Sequence, residues 1–439
     1  MVVKWITQML PTPCYTVAMD QPHHRHQHIV ILGAGFGGLA AALELERRRQ
    51  PADRYNVTLI DKNCYHLYHA LLYEVATAAM DIRAEDIAAL QSGVCIRVKA
   101  LSNILLQKNV QSVQGTVTHI NLEQQQVELL NDSPVHYDQL IIALGSETKY
   151  FDIPGLAEHS LSLKELPDAL NIHVRIDQVL QQVMTAHQPA RIVVGGGGVS
   201  GVEIAGELKH YANLLSRRHH FDRPLMNVTM IEAGPTVLAG LDSWAKRQAT
   251  RRLEQLGVQL CLGQAITRVD AQQLTLQDGR QYPFDLLIWC GGIQAHHLLR
   301  SLPISLAGKS QAVVDEYLRV PGHPEVVVIG DGAYVLDPAT QRPVPQVAPL
   351  AVAEGLAVAR NLHRVQHGQP LVPFQLIHRG YAIPIGGMWA ISTIGGRSTG
   401  WLGWLMRKRE DWRYFRSILT WADAWRVFFQ GGKVYLKNT

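Results

Sequence analysis

The sequence predicts an α/β fold in which one β-α-β unit is used twice, followed by a C-terminal segment of different texture. Three observations carry this. Two apolar runs of strand length each lead into a glycine-rich loop and then a helix, first over residues 29–49 and again over 191–215. Each helix is followed by a further apolar strand ending on an acidic residue, Asp61 in the first case and Glu232 in the second. At 439 residues the chain also exceeds a single core of ~150 residues, so two or three domains are expected.

The elements justify themselves in order. Residues 29–32 form a continuous apolar run, short enough for a strand buried on both faces. The run ends in Gly33-Ala34-Gly35-Phe36-Gly37-Gly38, and the helix that follows has small residues on its early turns. Residues 57–60 give the next strand, which stops at Asp61. Short strands of alternating pattern are expected over 113–130, then a buried strand within 139–145. The pattern returns with a strand at 191–194, a glycine-rich loop at 195–201, a helix from 202, and a strand at 227–231 before Glu232. Residues 284–292 close this second unit. A buried strand at 326–329 then runs into Gly330-Asp331-Gly332, and beyond about residue 374 the chain becomes rich in Gly, Trp and Arg.

Gly33, Gly35 and Gly38 fit G-x-G-x-x-G, and Gly196, Gly198 and Gly201 repeat it. The first glycine permits the tight turn, the second lets backbone approach a pyrophosphate, and the third lets helix and strand pack closely. The helix N-terminus then offers free N–H groups to the phosphates. With strand before, helix after and acid at the next strand end, the reading is two Rossmann-like dinucleotide-binding domains. The competing reading of the second loop is a structural relic of duplication. Asp61 and Glu232 are placed to accept from ribose hydroxyls; no arginine follows Glu232 immediately to receive a 2′-phosphate, which favours NADH over NADPH. Gly330-Asp331 suits a further contact, the carboxylate accepting from a sugar or ribityl hydroxyl while adjacent amides meet the pyrophosphate. By itself the pair also fits an Asx turn.

Formal net charge is +4, but nine Lys or Arg against three acidic residues lie from Arg397 onward, leaving −2 for the rest. That distribution argues against nucleic-acid binding and for one basic interaction surface. Five scattered cysteines without metal-ligand or CxxC spacing fit a reducing compartment, and no metal site is expected. No run of 18 apolar residues is present, so nothing is expected to span a bilayer. The first 27 residues read as a disordered extension: their apolar patch, broken by two prolines, is a poor signal peptide, and Met19 is an alternative initiator. His23, His24, His26 and His28 are expected in a solvated linker, with metal binding as the other reading.

Six of the nine tryptophans (Trp389, Trp401, Trp404, Trp412, Trp421 and Trp425) fall in the last 51 residues. Trp401, Trp404, Leu405, Phe415, Ile418, Leu419, Trp425 and Phe428 recur at helical spacings, and Arg407, Lys408, Arg409, Arg413 and Arg416 are interleaved. The expectation is an amphipathic membrane-interface segment, indoles at headgroup depth and cations against anionic lipid. The alternative is a helix packed on the protein's own core with a solvated basic face. As an interfacial anchor, residues 400–439 should be separable from the catalytic unit.

Four segments resemble those of the type II NADH dehydrogenases. They are Asp61-Lys-Asn-Cys-Tyr-His-Leu-Tyr-His-Ala-Leu-Leu-Tyr-Glu-Val-Ala-Thr77, Ala143-Leu-Gly-Ser-Glu-Thr-Lys-Tyr-Phe-Asp-Ile-Pro-Gly155, Gly198-Val-Ser-Gly-Val-Glu-Ile-Ala-Gly-Glu-Leu208 and Val328-Ile-Gly-Asp-Gly-Ala333. The resemblance spans about residues 28–430. It implies a single-subunit, non-pumping enzyme that holds FAD, oxidises NADH and reduces a membrane quinone. Carried over, Gly33, Gly35, Gly38, Asp61, Gly330 and Asp331 would hold FAD, and Gly196, Gly198, Gly201 and Glu232 would hold NADH. Glu203 matches the family's catalytic glutamate beside the stacked nicotinamide and flavin; its other reading is a helix-start acid complementing the dipole. The implied domains are 28–153 and 305–374 for FAD, 154–304 for NADH, and 375–439 for the membrane interface. Localisation would be peripheral, on the cytoplasmic face of the cell membrane, with a homodimer as a candidate assembly.

The chain departs from the family where glutamines usually line the quinone head group. Aligned without gaps on Gly355, Pro349 and Ala353 occupy those positions and Gln346 lies three residues early, while His69 and Ala70 stand where Gln-Pro is common. Three rivals follow: an NADH-dependent reductase of a soluble acceptor, a sulfide:quinone oxidoreductase, and a flavin redox sensor of low turnover. The second needs redox cysteines at the flavin, and Cys290 has no further cysteine after it.

Overall fold

The computed structural model describes residues 26–77, 95–97, 110–186, 188–218, 220, 224–376 and 380–437. The expected extension falls almost wholly outside these, as do His23 and His24. In chain order the elements that place the site begin with β1 (Gln27–Leu32), α1 (Phe36–Arg48), β2 (Tyr55–Asp61) and α2 (Leu72–Ala76). β3 (Val110–Gln114), β4 (Gln139–Ile142) and α3 (Leu166–Ala186) follow. The second unit holds β5 (Ala190–Gly195), α4 (Val199–Arg218), β6 (Met226–Glu232), α5 (Ser243–Leu256), β7 (Gln259–Leu262) and β8 (Leu286–Trp289). Last come β9 (His323–Val328), α6 (Ala348–Gln366), α7 (Trp401–Ile418) and α8 (Trp421–Lys437).

Both units are parallel sheets of one design. In the first, β9, β4, β1, β2 and β3 lie side by side, with the short Arg319–Val320 antiparallel outside β9. In the second the order is Leu161–Ser162, β8, β5, β6, β7. In each, the first strand lies between the second strand and one that returns much later, the switch point at whose carboxyl edge ligands bind in such sheets. β1 and β5 are buried over their apolar runs because helices cover one face of each sheet and a three-stranded antiparallel sheet covers the other, 117–136 in the first unit and 266–283 in the second. Gly195 is the last residue of β5, and its missing side chain is explained there: a Cβ would lie 2.5 Å from the Trp289 ring.

α6 crosses α1 so closely that a Cβ on Gly355 would lie 2.2 Å from the Gly37 carbonyl oxygen. α7 lies on an antiparallel sheet of Ala382–Pro384, Ala390–Ser392 and Ser398–Gly400, with Gly403 against the Ala390 carbonyl. Among the described residues no helix is long and apolar enough to cross a membrane.

Two expectations are corrected. His28 is not in a linker: it belongs to β1, pairs with Asn56, and its Nε2 lies 2.7 Å from the Thr58 hydroxyl. Burial there pushes its pKa down. The tail is not one lipid-facing surface either. Phe415, Ile418 and Leu419 are core residues, and the side chains of Arg407 and Lys408 are turned inward. Among the described side chains from Trp401 onward, Trp401, Leu402, Leu405, Trp421, Trp425 and Phe429 expose large apolar surface, alongside exposed Arg409, Arg413 and Arg426. The cause is geometric: α7 lies on the small sheet, and the side that carries Phe415 and Ile418 is turned into the core, with Phe415 against Tyr68, while Trp401, Leu402 and Leu405 stay outside.

Candidate active site

The two glycine loops have the same geometry. Gly33 has φ +98° and Gly196 φ +103°, backbone that favours glycine, and a Cβ would meet the backbone of Ala143, just past β4, at 2.4 Å and that of Gly291, just past β8, at 2.5 Å. Gly35 and Gly198 face open space, nothing lying within 4 Å of where a Cβ would be. A Cβ on Gly38 would sit 1.9 Å from the Gly33 carbonyl oxygen, and one on Gly201 2.0 Å from that of Gly196. Tight turn, open approach and close helix packing thus recur in order. Neither α1 nor α4 carries an acidic residue in its first turn, so the helix ends that face the open space are free for an anion.

The acids at the strand ends clamp these loops. Asp61 accepts from the Ala34 and Asn63 N–H groups, each at 2.7 Å. Glu232 accepts from Gly197 and, at 2.7 Å, from Gly234. Two carboxylate oxygens offer about four lone pairs, so each acid keeps acceptor capacity for a sugar hydroxyl. The fit to a dinucleotide is therefore good in both units. The Gly330 turn closes on the first unit: Gly330 has φ +69°, and its N–H donates to Glu354 of α6. Asp331 accepts from Ser146 Oγ, with Lys164 Nζ 3.7 Å away. Gln346, three residues early in the gapless alignment, donates to the Asp331 carbonyl at 2.8 Å.

Glu203 lies on α4 beyond its first turn, which sets aside the helix-start reading. It is buried, and burial pushes its carboxyl up to about 8, partly offset by Arg407 and reinforced by Glu74 and Asp411. Burial likewise pushes Glu74 and Glu207 up to about 7. Cys290 is half-buried near Glu203, and desolvation pushes its thiol up to about 12, opposite to what a redox thiolate needs.

A second set of residues reaches this region from the tail, and sequence reading assigned them elsewhere. Arg407 donates to the Ala70 carbonyl at 2.7 Å and to Asp411 at 3.0 Å. Tyr68 donates to Asp411 at 2.6 Å. Lys408 Nζ sits 3.6 Å from both Glu74 and Asp411. Tyr414 pairs with His66 at 2.7 Å, and His66 Nδ1 in turn donates to the Ala34 carbonyl of the first glycine loop. α7 is thus linked by hydrogen bonds to the loop that would carry FAD. The available signal was Asp411, an acid inside a basic run.

Comparison with known proteins bears on this site. Residues 27–355 match the family model described as pyridine nucleotide-disulphide oxidoreductase. The chain is 32% identical to the type II NADH:quinone oxidoreductase Ndh of Mycobacterium tuberculosis, over 93% of this chain and 89% of that protein. It is 25% identical to the type II NADH:quinone oxidoreductase of Staphylococcus haemolyticus, over 88% and 94%. Among solved structures, NDH2 from Plasmodium falciparum in complex with NADH superposes with a TM-score of 0.79, at 18% identity, covering 94% of this chain and 98% of that one.

Proposed function

Because the chain belongs to the type II NADH:quinone oxidoreductases, within the pyridine nucleotide-disulphide oxidoreductase family, we propose that it oxidises NADH and reduces a membrane quinone, without proton pumping, using bound FAD. The observation that carries the reading is the pair of equivalent glycine loops, each open above its second glycine, with buried Glu203 on the second helix. FAD, when bound, would supply the hydride-accepting and electron-transfer chemistry.

The residues divide the work as follows. Gly33, Gly35, Gly38, Asp61, Gly330 and Asp331 hold FAD in a domain made of 28–153 and 305–374. Gly196, Gly198, Gly201 and Glu232 hold NADH in the domain 154–304. Loop amides and helix N-termini take the phosphates, and the free lone pairs of Asp61 and Glu232 take sugar hydroxyls. Glu232 would repel a 2′-phosphate. Glu203 is the catalytic side chain at the nicotinamide–flavin contact. Its high pKa keeps it protonated at neutral pH, so it stores a proton where quinone reduction consumes two. Glu74 and Glu207, balanced near neutrality, are suited to refill it, and Arg407 places a fixed positive charge beside Glu203 and Glu74.

The exposed Trp401, Leu402, Leu405, Trp421, Trp425 and Phe429 form the membrane contact, with Arg409, Arg413 and Arg426 on anionic headgroups. On this reading the enzyme is a peripheral protein of the cytoplasmic face, with a homodimer as the candidate assembly. The sulfide:quinone alternative is disfavoured by the raised Cys290 thiol, and the soluble-acceptor alternative by the exposed aromatic face.

The test is anaerobic reduction of the purified flavoprotein by NADH or NADPH, then reoxidation by a short-chain menaquinone or ubiquinone. NADH should exceed NADPH in kcat/KM by at least ~10-fold, about 1.4 kcal/mol. Equal rates with the two nucleotides, or a reduced flavin that no quinone reoxidises, would overturn the assignment.

A further inference from the structure

At the opposite edge of the first sheet, three side chains without a part in this chemistry converge. Asp53 sits in the turn before β2 with its side chain only 3% exposed. His363 on the last turn of α6 and His367 just past its end are one turn apart, so their rings meet with centroids 4.2 Å apart. His367 Nε2 is 3.2 Å from Asp53 Oδ1, and His363 Nδ1 is 3.8 Å from Asp53 Oδ2. The three candidate ligand atoms all lie within 4.8 Å of one another.

Two details go beyond proximity. His363 Nδ1 is buried and has no hydrogen-bond partner. His367 Nδ1 lies 2.8 Å from the His363 carbonyl, and a carbonyl only accepts, so Nδ1 carries the proton. In the neutral ring Nε2 therefore points a lone pair at a carboxylate oxygen, a repulsive arrangement that a cation between them reverses. Metal-bound imidazoles commonly make this same outer hydrogen bond to a backbone carbonyl. The second His–carboxylate group lacks these features. There His297 bonds Glu147 directly, and His296 Nδ1 accepts from the Leu298 N–H, which leaves the ring proton on the Nε2 facing Glu147.

We propose that Asp53, His363 and His367 bind a first-row divalent transition metal, zinc being the best match. Two imidazoles and one carboxylate suit zinc, whereas calcium and magnesium favour oxygen donors alone. Tetrahedral zinc with bonds of ~2.0–2.1 Å needs ligand atoms ~3.3 Å apart, within reach of small side-chain adjustments here. His367, 27% exposed, leaves a fourth position open to water. Arg48 is the cation beside His363, and its head is held by Glu44 at 2.7 Å. The site is separated from Asp61 by the length of β2, ~20 Å at ~3.3 Å per residue, which puts it off the electron path. The ion clamps the C-terminal end of α6, the helix packed on α1, to the turn entering β2.

The test uses full-length, FAD-loaded protein stripped with a chelator and titrated with Zn²⁺, and separately with Co²⁺ for its visible tetrahedral absorption. The wild type should bind one zinc equivalent that weakens at least ~10-fold in H367Q and D53N and persists in H297Q. Zinc should raise the unfolding temperature of the wild type but not of H367Q, with NADH oxidation unchanged. Should D53N fail to fold, the more exposed H367Q decides alone. Zinc binding by H367Q equal to wild type, or lost in H297Q instead, would overturn the site.

Discussion

Asp411 separates a tail that is part of the core from one that only touches lipid. Its side chain is buried and accepts from Tyr68 at 2.6 Å and Arg407 at 3.0 Å, with Lys408 3.6 Å away. Asp411→Ala would leave the Arg407 guanidinium buried with neutral carbonyls, those of Ala70 and Ala382, as its hydrogen-bonding acceptors. Removing one partner of a buried pair costs ~3–5 kcal/mol, because the remaining charge stays desolvated. At ~2–4 °C per kcal/mol for a unit of this size, Tm should fall by on the order of 10 °C. Asp411→Asn, which keeps the shape and an acceptor for Tyr68, should fall between this variant and wild type. Arg413→Ala on the exposed side, where the partner Glu410 is 3.8 Å away, should stay within ~2 °C of wild type. The assay is release of flavin fluorescence during a thermal ramp. An Asp411→Ala protein that unfolds within ~2 °C of wild type would refute the reasoning and return the whole tail to the membrane surface.

Three further outcomes follow from the geometry. Glu203, Glu74 and Glu207 have folded values of about 8, 7 and 7 against an ordinary 4.5. The folded chain therefore binds more protons, and the stability these groups contribute is full below pH 4.5 and lost as pH rises through 7 to 8. Tm should decline across that window and decline less in Glu203→Gln, which should stay yellow but accept hydride slowly; identical slopes would count against a protonated Glu203. Gly38→Ala should lose FAD, whereas Gly201→Ala should keep it and slow flavin reduction by at least ~10-fold, since each new Cβ closes only its own loop; absorbance at the flavin band and stopped-flow reduction by NADH distinguish them. Truncation after residue 420 should give folded, active protein with weaker, more salt-sensitive vesicle co-sedimentation, while truncation after residue 400, which removes Arg407 and Asp411, should give no folded enzyme.

Much of the catalytic half was legible in sequence because its constraints are local. A strand, three glycines at fixed spacing, a helix and an acid at the next strand end form one continuous stretch of chain, and the backbone geometry that requires glycine at Gly33, Gly38, Gly196 and Gly201 is set within that stretch and by the strand beside it. The need for glycine at 195 is not local, because its reason is Trp289, which reaches it only across the sheet.

The tail shows the opposite case. Helical spacing identified an amphipathic segment, but apolar residues on either side of a helix look alike in a periodic pattern, and only packing against the small sheet and Tyr68 decides which are inside. Arg407 and Lys408 read as lipid-facing because they sit in a basic run, yet Asp411, Glu74 and Tyr68 bring them into the buried polar network. Asp53 and the two histidines of α6 are separated by most of the chain, so no spacing rule could have joined them. The sequence by itself determined the repeated nucleotide unit, whose information is carried by neighbours along the backbone. The tertiary structure decided which charges are buried, because burial depends on what distant segments bring to the same place.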